Sequence, residues 1–406
     1  MSDKNLRRIL GLTAYVLTAL YTAACIFLYY RFMGWESGSV YESDLPAHIS
    51  LALDDGLIYS LISLIIIGLN GMGLLNVLCV ILGVFAFLSV LFSASLIGEI
   101  TEKKYGRGAE LLLALLLNIV MPCYVRGLSD GRYMGMHTSS IWHNSTYLMM
   151  KWLGLWTILV YMKTEKDISK KLTPKSYFVF TLLLTLTTAA KPNFFLAAAP
   201  AMLVFLIIDI VRRNAPVSRL LVFASSVIPS FIVMLLQNGS LFGGGSGDSG
   251  IVIAPGRAMT AHTGYLIPVS FLSIAFPLMV TAFHIKDLLK NRYLLFAWIC
   301  AAFGYMEYFL LSEEGARALD ANLSWGYAFT IILVFGITLI LWIEDVRKYF
   351  SKKNGSGEEK TQEKKNAALL SKIYTGLCGC ILLYHTYCGM LFFIRLLQGV
   401  SYMMWG

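Results

Sequence analysis

Charged residues are scarce in this chain: only 14% of its 406 residues are Asp, Glu, Lys or Arg, whereas 57% are hydrophobic. A mean hydropathy of +0.67 over this length excludes an ordinary soluble domain. A helix needs about 20 mostly apolar residues to cross a bilayer, and the sequence offers about eleven such runs. We therefore predict an all-α polytopic membrane protein, a single integral membrane domain over residues 1–406 with no large soluble domain.

The basic residues are distributed unevenly among the predicted loops. Most of the 33 Lys and Arg residues precede the first span or fall in the loops that follow every second span. The positive-inside rule assigns that side to the cytoplasm, so we expect the N-terminus inside, the C-terminus outside and 345–367 to be a charged cytoplasmic linker. The net charge of +9 then reflects topology, and we expect no nucleic-acid partner. The predicted spans are 9–30, 72–97, 110–125, 146–162, 176–190, 194–211, 218–237, 267–285, 293–311, 325–343 and 368–393.

Cysteine is also sparse, with seven residues, an odd number, all inside or at the ends of apolar segments. This pattern argues against a disulfide framework. The pair Cys378 and Cys380, separated by one glycine, does not have the spacing of a zinc site. We interpret all seven as small core residues.

The first predicted outer loop, 31–71, contains an acidic and histidine-bearing stretch. Leu45, Ile49 and Leu53 recur at helical spacing, and the apolar piece 57–69 is too short to cross a bilayer. We predict two helices that lie on the outer interface. Asp44 and His48 are four residues apart and would share a helix face.

Two interpretations of this stretch stay open from the sequence. Asp44 or Ser43 precedes Pro46, which suits the first turn of a helix, so either residue could be a plain N-cap. Alternatively, Asp44, or with less support Glu42, is a catalytic carboxylate, and His48 lies beside it to contact a substrate.

A second polar cluster, Trp142, His143 and Asn144, stands at the predicted outer boundary of a span. Side chains of this kind either anchor a protein at the interface or bind a polar ligand there. Lys191 precedes Pro192, which suits the start of a new helix. A cation at a helix N-terminus favours phosphate, although a snorkelling lysine is an equally good interpretation.

Two later outer loops add candidate ligand contacts. The loop 238–266 carries a Gly-rich tract, either a flexible connection or a lid over a site, followed by Arg257 and His262. The loop after residue 311 holds Glu313, Arg317 and Asn322. Arg317 could recognise phosphate or carboxylate, or could pair with an acidic neighbour on its own helix surface.

These motifs together resemble the GT-C superfamily of polyprenyl-phosphate-sugar-dependent glycosyltransferases. The resemblance rests on the acidic first outer loop, the Lys-Pro break at Lys191, the Trp-His-Asn-Ser-Thr stretch from Trp142 and the late Glu-x-x-x-Arg…Asn-x-x-Trp-Gly loop from Glu313. It extends over nearly the whole chain in predicted topology, although the motifs are short. Many members have adjacent acidic residues in loop one, whereas here Ser43 separates Glu42 from Asp44.

The resemblance implies a bacterial plasma (inner) membrane enzyme that moves a sugar from a polyprenyl-phosphate-linked donor to a glycan or lipid acceptor on the outer face, with inversion. Membrane lipid would surround it. Asp44 would be the base, and Lys191 and Arg317 would hold the lipid phosphate. Some relatives use Mg²⁺ or Mn²⁺, for which Asp44, His48 and His143 could supply ligands, but their spacing does not demand a metal.

Two alternatives remain at this stage. A transporter or flippase for a lipid-linked or anionic solute would need polar sites near the midplane of the membrane. Such residues are few in the predicted spans. A glycan polymerase would also consume lipid-linked sugars and would differ only in its acceptor.

Overall fold

The computed structural model describes residues 3–34, 40–133, 135–242, 250–353 and 362–403. This part of the chain is mostly helical. Its α-helices are α1 (Asp3–Met33), α2 (Leu45–Leu53), α3 (Leu61–Gly71), α4 (Val77–Ile100), α5 (Arg107–Leu117), α6 (Ser145–Ile168), α7 (Pro174–Ala190), α8 (Asn193–Val211), α9 (Val217–Ser225), α10 (Ile228–Phe242), α11 (Arg257–Thr260), α12 (Leu266–Ser273), α13 (Ala275–Phe283), α14 (Arg292–Leu310), α15 (Trp325–Lys353) and α16 (Gln362–Leu397).

Seven helical stretches in the described residues are long and apolar enough to cross a membrane: α1, α4, α8, α9 with α10, α14, α15 and α16. An eighth forms if α12 and α13, bent by 70° at their junction, count as one span. The architecture is that of an all-α polytopic membrane protein. The predicted count of eleven is not confirmed, because α5 has 11 residues, α7 has 17, and the last turns of α6 are rich in charge.

The predicted span 110–125 is helical only in its first half. After α5 the chain continues without helix from Asn118 to Val125, and most of this stretch up to Cys123 is buried. Non-helical backbone inside an apolar protein must find hydrogen-bond partners. His385 of α16 supplies them, because its Nδ1 lies 2.6 Å from the Met121 carbonyl, while its backbone carbonyl accepts from Met121 N. Its Nε2 accepts from Phe276 N at 3.3 Å, just after the α12–α13 break.

The first predicted outer loop does contain two short helices, α2 and α3. A further short element, β1 (Ile251–Ile253), pairs antiparallel with β2 (Leu311–Glu313) and ties the segment before α11 to the segment after α14. The Gly-rich residues 243–249 and the linker residues 354–361 lie outside the described residues. The rest of the predicted linker is largely helical, as the ends of α15 and α16.

The helices of the bundle run between two ends of different chemistry. At one end, ion pairs join predicted cytoplasmic loops, with Lys104 2.7 Å from Glu344 and Lys163 3.6 Å from Glu99. The opposite end, which we call the site end, gathers the segments 40–60, 118–144, 191–192, 250–265, 311–324 and 398–403 around a cavity. Six cysteines are buried as predicted, but Cys380 is exposed on the surface of α16.

Candidate functional site

A cavity of about 590 Å³ opens at the site end of the bundle. Residues from Asp44 to Met403 form its walls, because the site-end connections of the helices meet there. Eight of the residues singled out in the sequence line it: Asp44, His48, His143, Asn144, Lys191, His262, Arg317 and Asn322.

Asp44 stands at the N-cap position of α2, but its carboxylate does not cap the helix. Within the described part of the chain, this side chain makes no hydrogen bond to the first amides of α2. Ser43 Oγ accepts from Leu45 N at 3.0 Å instead, and Pro46 occupies the first turn, where no amide donor is needed. The Asp44 side chain therefore does not cap α2. The Ser43 side chain, one residue before the N-cap position, binds the amide of the first helical residue, and the Asp44 carboxylate is left for other partners.

A hydrogen-bond partner of the Asp44 carboxylate lies at the start of α6. Asn144 Nδ2 donates to Asp44 Oδ2 at 2.7 Å, and Asp44 N donates to the His143 carbonyl at 3.2 Å. Asn144 is itself the N-cap of α6, because its Oδ1 accepts from Tyr147 N at 2.9 Å. One amide side chain thus caps α6 with its oxygen and orients the carboxylate with its nitrogen.

The histidines beside Asp44 are neutral at neutral pH. Burial lowers the pKa of His48 to about 4, although the Asp44 carboxylate opposes this shift. Burial also lowers the pKa of His143, again against the pull of Asp44. For Asp44, burial disfavours the charged form. In the acidic range where this carboxyl titrates, however, His143 and His48 take up protons, and their positive charges together with the Asn144 hydrogen bond outweigh burial and lower the pKa of the carboxyl. Asp44 is therefore ionised at neutral pH.

Lys191 joins the α7–α8 connection to the same cluster. Its Nζ donates to Thr146 Oγ1 at 2.7 Å and lies 4.6 Å above the centroid of the Trp325 ring. Burial lowers the pKa of Lys191 to about 7, with Asp44 acting in the opposite direction. An anionic ligand would restore the full charge of this ammonium group.

Arg317 enters the cavity from the loop after β2. Its Nε lies 3.4 Å from Glu313 Oε2, and that carboxylate also accepts from Asn322 Nδ2 at 2.7 Å. The predicted pairing of Arg317 with an acidic neighbour is thus present. The Arg317 side chain is nevertheless 44% exposed, so the pairing with Glu313 positions the guanidinium without enclosing it.

Several singled-out residues do not line the cavity. The Glu42 carboxylate accepts a hydrogen bond from Ser401 Oγ. Arg257 is exposed at the start of α11. Trp142 is buried in the core, where its Nε1 donates to Tyr21 OH at 3.0 Å. His262, in contrast, does line the cavity, and its Nε2 lies 2.7 Å from the Leu319 carbonyl oxygen. Glu313 does not line the cavity, but its carboxylate contacts Arg317 and Asn322, which do.

The cavity also contains residues that the sequence did not single out. Tyr402 donates to Asp44 Oδ1 at 3.2 Å and stacks on His143. His137 lies among three tyrosine rings. Thr146 and Trp325 belong to the quoted motifs, and their contacts with Lys191 could have been suspected. For Tyr402 no local signal existed, because its partner Asp44 lies 358 residues earlier.

The side chains that the sequence offered as metal ligands, Asp44, His48 and His143, have the following contacts. Over the described ranges, no group of three or more His, Cys, Asp or Glu side chains has the arrangement to hold a metal ion. His48 Nδ1 is 2.7 Å from Ser145 Oγ, Asp44 Oδ2 accepts from Asn144 Nδ2 at 2.7 Å, and His143 Nε2 is 3.9 Å from Asp44 Oδ2.

In comparisons with known proteins, no protein-family model matches this chain, and none of the curated proteins matches it significantly.

Proposed function

We propose that the protein is a membrane glycosyltransferase of the GT-C type, which transfers a sugar from a polyprenyl-phosphate donor to a glycan or lipid acceptor. One observation carries the proposal. A carboxylate that is released from helix capping and two cationic side chains, Lys191 and Arg317, line one cavity at one end of an apolar helix bundle. A base beside an anion site is what displacement of a lipid phosphate requires.

Lys191 and Arg317 are assigned to the donor phosphate. Both line the cavity, and they approach it from different connections, α7–α8 and β2–α15. An arginine offers a planar fork for phosphate oxygens, and a lysine offers a point charge. As the phosphate leaves, its negative charge grows, and the two cations stabilise that charge.

The chemical step is a single displacement at the anomeric carbon. Asp44 takes the proton of the acceptor hydroxyl, the acceptor oxygen forms a bond to the anomeric carbon, and the bond from that carbon to the phosphate oxygen breaks. Polyprenyl phosphate departs with one more negative charge, and Asp44 becomes neutral. The configuration inverts because there is one displacement. Glu42 is not used, since it does not line the cavity. No step involves a metal.

The orientation follows from the basic residues. If the end that carries Lys104 and Lys163 faces the cytoplasm, the cavity opens at the outer face of a bacterial plasma membrane, with the N-terminus inside and α16 ending outside. Helices α2 and α3 would then lie on the outer interface, where a lipid-linked donor presents its phosphate.

Purified protein in proteoliposomes, given a radiolabelled polyprenyl-phosphate-linked hexose and an extract of envelope glycans and lipids, tests the proposal. We expect label in a new covalent product and release of polyprenyl phosphate. Movement of the label across the bilayer without any covalent product would instead establish a transporter or flippase. A ladder of products that grows by repeating units would establish a polymerase.

A further inference from the structure

The segment after α16 folds back over the cavity. Helix α16 ends in a Schellman motif, in which Val400 N donates to Arg395 O and Gly399 N donates to Leu396 O, both at 3.0 Å. Gly399 has φ +84°, a left-handed conformation that favours glycine. The chain therefore reverses at Gly399, and residues 398–403, which we call the return segment, run across the mouth of the site.

The return segment is held to the loop before α2. Tyr41 N donates to the Gly399 carbonyl at 3.4 Å, Tyr41 OH donates to the Leu397 carbonyl at 3.1 Å, and Ser401 Oγ donates to the Glu42 carboxylate. These contacts deliver the next residue, Tyr402, to the cavity, which Met403 also lines.

Tyr402 makes two contacts with the reaction centre. Its ring lies flat on His143, with centroids 3.8 Å apart and an interplanar angle of 8°. Its hydroxyl donates to Asp44 Oδ1 at 3.2 Å. Tyr133 stands edge-on to both rings, at 5.4 Å from His143 and 5.8 Å from Tyr402. A six-membered ring that carries a hydroxyl therefore fills a flat aromatic slot, and the hydroxyl points at the base.

We propose that this slot is the acceptor subsite and that Tyr402 occupies it as an internal competitor for a pyranose ring. The inference rests on the proposed function. A pyranose has about the dimensions of the phenol ring, packs its C–H face on an aromatic surface, and would place a hydroxyl against Asp44 Oδ1. The acceptor is accordingly a sugar ring of a glycan, and it enters only when the return segment moves aside.

The energetics favour displacement. At 3.2 Å, the Tyr402–Asp44 hydrogen bond is longer than the usual 2.7–2.8 Å for O–H···O, so a better-placed hydroxyl competes well. His143 stays neutral because burial lowers its pKa, and a neutral ring suits stacking on the C–H face of a sugar. Asn144 holds the other oxygen of Asp44, so the carboxylate keeps its orientation when Tyr402 leaves.

The test measures binding without donor, so that it is independent of turnover. Methyl pyranosides of glucose, galactose, mannose and N-acetylglucosamine are titrated by calorimetry into wild-type protein and into Tyr402→Ala and Tyr402→Phe. We expect at least one pyranoside to bind about ten-fold tighter to Tyr402→Ala, since a stacking contact and a hydrogen bond no longer compete. Tyr402→Phe, which keeps the stack and should fold normally, gives a smaller gain.

Two controls isolate the slot. Tyr15→Ala removes an exposed tyrosine of α1 and should leave pyranoside affinity unchanged. Sorbitol has the hydroxyls but no ring, and it should gain nothing from Tyr402→Ala. The proposal is overturned if pyranoside affinity is unchanged, falls or stays undetectable in both Tyr402 variants, or if sorbitol gains equally.

The same variants separate this inference from the proposed function. Sugar transfer by the protein, with no effect of the Tyr402 variants on pyranoside binding, would support the proposed function and refute the acceptor subsite. Tighter pyranoside binding by the Tyr402 variants, without any sugar transfer by the protein, would support the sugar-binding subsite and refute the proposed donor chemistry.

Discussion

The side-chain amide of Asn144 donates to the Asp44 carboxylate at 2.7 Å, so the N-cap residue of α6 orients the residue at the N-cap position of α2. This contact joins two helix starts that are 100 residues apart. Because the Asp44 side chain makes no capping hydrogen bond to α2, its carboxylate faces the cavity, with one oxygen held by Asn144 and the other accepting from Tyr402.

Asn144 is expected to serve structure and site separately. Asn144→Asp keeps the oxygen that caps α6 but replaces the amide donor with a second carboxylate, which raises the pKa of Asp44. We predict a small change in Tm and a loss of sugar transfer that is strongest at low pH. Asn144→Ala should lose the cap as well, at a cost of about 1 kcal/mol. Equal activity of Asn144→Asp and wild type would refute the orienting role.

Lys191 should give donor binding a pH dependence. Because the pKa of Lys191 is lowered to about 7, its ammonium group is charged below that pH and loses its proton as the pH rises. Since a phosphodiester favours the charged form, donor affinity should fall by up to about ten-fold per pH unit above pH 7. Lys191→Arg stays charged and should flatten the profile between pH 6 and 9. A wild-type profile that is already flat would contradict the assignment.

Arg317 should contribute to donor binding independently of Lys191. Arg317→Ala and Lys191→Ala are each predicted to weaken binding of polyprenyl phosphate about ten-fold or more, because each removes a charge-assisted contact. Arg257→Ala provides the matched control, since Arg257 is exposed and does not line the cavity. Binding that is unchanged in both site variants would remove the phosphate site from this cavity.

The non-helical segment after α5 should depend on a glycine of α16. A Cβ at Gly389 would overlap the Ile119 carbonyl oxygen, a backbone atom that cannot move aside easily. Gly389→Ala should therefore lower Tm by several degrees or prevent folding. Gly376→Ala, on the same helix, meets no heavy atom of the described chain within 4 Å and should be neutral or slightly stabilising. Similar Tm values for the two variants in detergent would contradict this packing.

The sequence predicted the helical membrane character, and eight of its candidate site residues line the cavity. Both follow from hydropathy and charge bias, which are local properties of the sequence. Charge-based topology assigned the segments of Asp44, His143, Lys191 and Arg317 to one side, and the structure brings these residues to one cavity. The sequence could not predict that the segment after α5 is non-helical. An apolar run predicts a helix whether or not tertiary hydrogen bonds, here to His385, replace the helical ones.

The sequence also could not show which side chains contact each other, because those contacts depend on the tertiary structure. Capping was assigned to either Ser43 or Asp44, and only the contact with Asn144 decides between them. Trp142 has the composition of an interfacial anchor, yet it is buried because Tyr21, Phe392 and Phe393 surround it. Tyr402 could not be anticipated, because its position depends on how α16 ends.

The most direct test of the central claim is the rate of sugar transfer by Asp44→Asn beside Glu42→Gln, in proteoliposomes with a radiolabelled polyprenyl-phosphate-linked hexose. Asparagine keeps the size of the side chain but cannot accept the proton of the acceptor hydroxyl. Asp44→Asn is expected to lower the rate by a factor on the order of 10²–10⁴ while donor binding and Tm stay near wild type, and Glu42→Gln is expected to keep most of the activity. Full transfer by Asp44→Asn, or its loss in Glu42→Gln alone, would contradict the assignment of Asp44 as the base.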